Sequence, residues 1–90
     1  MSREVTYNNN TVQLRNNEFN LLVLLAQNVN RVVSKTHIID SIWGLDDEFD
    51  INLLNATIYN LRKRLSQLNC KNLIKTVKGV GYKLSENENF

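Results

Sequence analysis

Hydrophobic positions along this 90-residue chain change rhythm several times, and each rhythm predicts an element. Residues 4–14 alternate, with Val5 and Tyr7 before the Asn8–Asn10 triplet and Val12 and Leu14 after it. Two short strands joined at the asparagines are expected, because asparagine tolerates the left-handed backbone of a hairpin turn. Glu18–Gln27 is a broad apolar run of Phe19, Leu21, Leu22, Val23, Leu24, Leu25 and Ala26. Its length, its leucines and the opening Asn16-Asn17-Glu18 favour a buried helix over a strand. Arg31-Val32-Val33 reads as a brief strand or extended connector. Ser34 then stands at the N-cap of a second helix, Lys35 to Trp43, with Ile38, Ile39, Ile42 and Trp43 inward and His37, Asp40 and Ser41 outward. Gly44 ends it. An acidic loop, Leu45 to Asp50, leads to a third helix from Asp50 or Ile51 to Leu68. Asn69, Lys71 and Asn72 turn the chain into a hairpin over 75–84, where Gly79-Val80-Gly81 allows a tight reversal with positive φ. The expected class is α+β.

At 100° per residue, the third helix separates into two faces. Leu54, Ile58, Leu61, Leu65 and Leu68 form one narrow apolar stripe. Opposite it lie Asn52, Ala56, Tyr59, Asn60 and Lys63, with Arg62 and Arg64 at the flanks. The outer face thus carries amides, a phenol, a methyl and cations.

Charge sharpens this picture. Between Ile51 and Ser85 the chain has seven Lys or Arg and neither Asp nor Glu, a formal +7 from Arg62, Lys63, Arg64, Lys71, Lys75, Lys78 and Lys83. Residues 1–50 hold four basic and seven acidic residues, so the overall +2 hides a strong dipole. A basic helix followed by a basic hairpin has the form of a polyanion-binding surface. Ninety residues make one small domain in which nearly every apolar stripe must be buried. The single cysteine, Cys70, fits a reducing compartment such as the cytoplasm. No apolar run long enough to span a membrane and no signal peptide is present.

Candidate chemistry is of one kind. His37 has no cysteine or second histidine at metal-ligand spacing, and no cofactor or metal is expected. The Asp46–Asp50 cluster lacks the alternation and central glycine of an EF-hand loop. Gly79-x-Gly81 lacks the third glycine of a dinucleotide fingerprint and is followed by strand-like residues. Cys70, in a polar turn, has no catalytic partner, and no enzyme is expected. The third helix remains: an α-helix fits the DNA major groove, where Asn52 and Asn60 are placed to bond adenine and Ala56 to touch a thymine methyl. Tyr59 would stack on sugar or donate to phosphate, and Arg62, Lys63 and Arg64 would pair with phosphates. The helix by itself is equally a solvated surface face. Lys78, at the tip of a protruding hairpin, favours DNA, because cations are drawn into the minor groove.

Five stretches together carry a resemblance. They are Leu14-x-x-x-Glu18-Phe19-x-Leu-Leu, Arg31-Val-Val-Ser34-Lys, Ile42-Trp43-Gly44, Ile58-x-x-Leu61-Arg62-Lys63-x-Leu65 and Ile74-Lys-Thr76-Val-Lys78-Gly79-Val-Gly81-Tyr82-Lys-Leu84. This chain resembles the OmpR/PhoB-type winged helix-turn-helix DNA-binding domain over nearly its whole length. The resemblance implies a short N-terminal antiparallel sheet, three helices and a C-terminal β-hairpin wing. It also implies a sequence-specific binder of double-stranded DNA in a bacterial transcriptional regulator, with the helix at about 51–68 in the major groove and the wing at 75–84 in the minor groove. By position it places Asn52, Leu53, Ala56 and Asn60 at base-reading or groove-lining sites. Trp43, Tyr59, Arg62, Thr76 and Tyr82 fall at phosphate contacts, and Lys78 at the wing. Leu45, Asp46, Asp47 and Glu48 fall in the segment with which members touch RNA polymerase.

The chain departs from the pattern at three places. Arg15 stands where a threonine often caps the first helix, leaving Asn16 as the alternative cap. Asn60 replaces an arginine common on the reading face, which implies a different base preference. Two candidate strands precede the first helix where response regulators typically carry four. That short start, with Leu-Leu-Ala-Gln-Asn and the Asn55–Lys63 stretch, is similar to ToxR-like regulators, in which a cytoplasmic domain precedes an inner-membrane segment. The expected organisation is a domain over 1–85 with 86–90 as tail or linker. Partners implied are DNA, RNA polymerase and a second copy or co-regulator on tandem sites. A protein-interaction module that contacts polymerase or a co-regulator and binds DNA only weakly is the alternative.

Overall fold

The computed structural model describes residues 3–7, 9–44, 49–68 and 72–85. Strands β1 (Glu4–Tyr7) and β2 (Asn10–Gln13) pair antiparallel with Val5 opposite Val12. Asn9, at their reversal, takes φ 67°, the left-handed backbone that asparagine tolerates. Helix α1 (Asn16–Gln27) follows, then β3 (Val33–Ser34), α2 (Lys35–Ile42), α3 (Ile51–Ser66), and the hairpin of β4 (Ile74–Val77) and β5 (Gly81–Leu84). The brief strand at 33–34 has a definite partner: β5 lies between β3 and β4 in a three-stranded sheet. The three helices and two antiparallel sheets are those expected of a winged helix.

The helix starts follow from local chemistry. Ser34 Oγ accepts from the His37 N–H at 3.1 Å and caps α2, as its position in the sequence suggests. Asp50 Oδ1 accepts from the Asn52 N–H at 2.9 Å and caps α3. The start of α1 departs from expectation. Asn16 is already helical, and its Oδ1 accepts from Arg3 Nε at 2.9 Å. Arg15 holds the cap position, where a guanidinium has no acceptor to offer. Half of a capping box survives: Glu18 Oε1 accepts from the Arg15 N–H at 3.0 Å.

The apolar rhythms converge on one core. Leu21 and Leu25 of α1, Ile38 of α2, and Leu54, Ile58, Leu61 and Leu65 of α3 are buried with Val12, Leu14, Val33, Ile74 and Tyr82. Leu68 completes the stripe although α3 ends at Ser66, because the Leu68 N–H still bonds the Leu65 carbonyl at 2.9 Å. At the wing, Gly79 takes φ 79°, as the turn requires, whereas Gly81 does not have positive φ. Gly81 is required for close approach instead: a Cβ there would lie 1.9 Å from the Val33 carbonyl oxygen.

Candidate nucleic-acid interface

Burial of the leucine stripe fixes which way α3 faces. Asn52, Leu53, Ala56, Tyr59 and Lys63 are exposed, and Tyr59, at 65% exposure, is among the most open large side chains. Asn60 is half-buried. It lines a groove between α3 and the start of α1 that also contains Asn16, Asn17, Leu53, Ala56 and Thr57. The outer face of α3 is therefore bordered by α1, a neighbour that periodicity within α3 has no means to reveal. Thr57, beside Asn60, was not among the expected residues. Its hydroxyl donates to the Leu53 carbonyl at 2.7 Å.

The cations divide into three groups. Lys63, Lys75 and Lys78 are exposed and Lys83 is half-buried. Arg64, expected at a phosphate, faces inward: its Nε donates to Glu18 Oε1 at 2.7 Å, and the Glu18 side chain is only 3% exposed. The carboxylate fixes that cation against the first turn of α1. Arg62 lies between these cases. Its Nε and Nη2 donate to the Ile74 carbonyl at 3.3 and 3.1 Å, and Nη2 also donates to Thr76 Oγ1 at 2.7 Å. Its guanidinium carbon sits 6.0 Å from the centre of the Tyr82 ring.

Tyr82 is largely a core side chain, at 6% exposure, with its ring 6.0 Å from the Arg62 guanidinium carbon. Thr76 is exposed and already engaged by Arg62. Trp43 is half-buried at the end of α2, its ring 5.0 Å from that of Phe49 at an interplanar angle of 51°. The proposed polymerase-contact residues Leu45, Asp46, Asp47 and Glu48 lie outside the described residues, as do Lys71 and the tail 86–90. Among the described residues there is no group of three or more His, Cys, Asp or Glu that could hold a metal ion. No helix among them is long and apolar enough to cross a membrane.

Helices α2 and α3, the outer face of α3 being exposed, and a basic hairpin beside α3 define a winged helix-turn-helix, built as a DNA-binding domain of a transcriptional regulator. Residues 9–84 match the family described as "Transcriptional regulatory protein, C terminal", and the chain belongs to that family, whose members are regulators and not enzymes. It is similar to the heme response regulator HssR of Staphylococcus epidermidis, 42% identical over 84 residues that cover 93% of this chain and 38% of HssR. The chain thus spans well under half the length of the curated relatives it matches. Among solved structures it is similar to the C-terminal domain of the nisin resistance regulator NsrR, with a TM-score of 0.82, 30% identity and coverage of 94% of this chain and 87% of that one. It is also similar to the DNA-binding domain of CpxR from E. coli, with a TM-score of 0.75, 34% identity and coverage of 92% and 82%.

Proposed function

We propose that this domain recognises a specific double-stranded DNA sequence in a bacterial transcriptional regulator, with α3 in the major groove and the β4–β5 wing against the adjacent minor groove. The observation that carries the reading is that α3 and the wing contain no Asp or Glu while Lys63, Lys75 and Lys78 stand exposed on them. Those cations and Arg62, with Thr76, Tyr82, Tyr59 and Trp43, would hold phosphates and set register. Asn52 and Asn60 would bond base edges, and Leu53 and Ala56 would offer methyl contacts to thymine. Lys78, at the wing tip, would enter the minor groove.

Other partners follow from the same placement. The acidic segment Leu45, Asp46, Asp47 and Glu48 would contact RNA polymerase, and a second copy or a co-regulator would occupy a tandem site. Relatives named as response regulators support a parent of that type, working in the cytoplasm where the chromosome lies. They lend no support to the ToxR-like, membrane-anchored parent.

Selection from a random duplex library, followed by footprinting of the selected site, tests the proposal. The expected result is one preferred sequence, protected in a major groove and in the neighbouring minor groove. Binding without sequence preference would contradict it and favour the protein-interaction module.

A further inference from the structure

The wing must be held at a fixed place relative to α3 if both grooves are to be met at once. The two elements belong to different parts of the fold: α3 packs chiefly against α1 and β2, while β4 pairs with β5 and β5 with β3. Arg62 crosses the seam between them. Its fork holds the Ile74 carbonyl and the Thr76 hydroxyl, two residues apart on β4, while its plane lies near the Tyr82 ring. A planar guanidinium can hold several acceptors in fixed directions, whereas the ammonium of lysine is a point charge on a flexible stem. Both acceptors are neutral, so these bonds themselves leave the positive charge uncompensated.

We infer that Arg62 is a positioning residue that fixes the wing on α3, and so couples the minor-groove contact of Lys78 to the major-groove contacts of the helix. The coupling rests on the groove assignments proposed above, whereas the fixing of the wing does not. A wing already fixed in the free protein loses less freedom on binding, which is how a strut of this kind strengthens association.

Arg62→Lys keeps the charge and removes the fork. In the free protein, ¹⁵N relaxation is expected to show lower order parameters for the Lys78, Gly79 and Val80 amides of this variant, with α1 unchanged. Unaltered wing amides would overturn the inference. Thr76→Val, which removes one acceptor and keeps Arg62, is expected to shift the same amides in the same direction by less. On DNA, Lys78→Ala is expected to weaken binding roughly fivefold in the parent protein, and by less than about twofold beside Arg62→Lys. Independent, multiplicative losses would overturn the coupling. If Lys78→Ala alone leaves affinity unchanged, the groove assignment fails and the coupling with it, and the relaxation result decides separately whether Arg62 fixes the wing.

Discussion

Arg64 in the last turn of α3 donates to Glu18 in the first turn of α1 at 2.7 Å, across 46 positions of sequence. The pair closes the fold between its first and third helices. Glu18 also accepts from the Arg15 N–H, so one carboxylate completes the start of α1 and anchors the end of α3. Arg64 is 30% exposed and water shares its charge, whereas Glu18 has almost no access to water.

Removing the cation strands a buried carboxylate. Arg64→Ala is therefore expected to lower stability by about 2–4 kcal/mol in urea unfolding. Lys63→Ala, one position away and exposed, should stay within about 0.5 kcal/mol. Equal small effects would show that Arg64 is an ordinary surface cation.

The two wing glycines should separate in the same assay. Gly79→Ala meets open space but must hold positive φ, a cost of about 1–2 kcal/mol. Gly81→Ala drives a methyl into the Val33 backbone, which has to move and break the β3–β5 pairing. It is expected to cost clearly more, about 3 kcal/mol or above, and to reduce folded yield.

Base preference should follow the uncharged face. Asn60→Ala and Asn52→Ala are each expected to relax discrimination at one base pair by about 1–3 kcal/mol in competition binding against single-base variants of the selected site. Because Asn60 is half-buried beside Asn16 and Asn17, its substitution should also be more sensitive to changes in α1 than that of Asn52.

The features legible in the sequence are those with local or periodic causes. The Leu54–Leu68 stripe, the Ser34 cap and the turn at Gly79 each follow from spacing within one element. What stayed hidden depends on partners far along the chain. Glu18 looks like half of a broken capping box until Arg64 is seen against it. Gly81 looks like a second turn residue until β3 is laid beside β5. Arg64 and Tyr82 look like surface groups, and Arg62 like a free one, because charge and ring say nothing about which neighbour holds them. The resemblance gives their positions along the chain, and packing decides what holds them.

In the proposed complex, cations on α3 and the wing hold phosphates while the face between them reads bases. The salt dependence of affinity for the selected duplex tests it most directly. Apart from Arg64, which is paired to Glu18, α3 and the wing carry five cations, Arg62, Lys63, Lys75, Lys78 and Lys83. Log K against log salt should then fall with a slope of about −4 to −5, and Lys63→Ala or Lys78→Ala should each reduce its magnitude by about 1. Affinity that stays constant from low to physiological ionic strength would contradict the account.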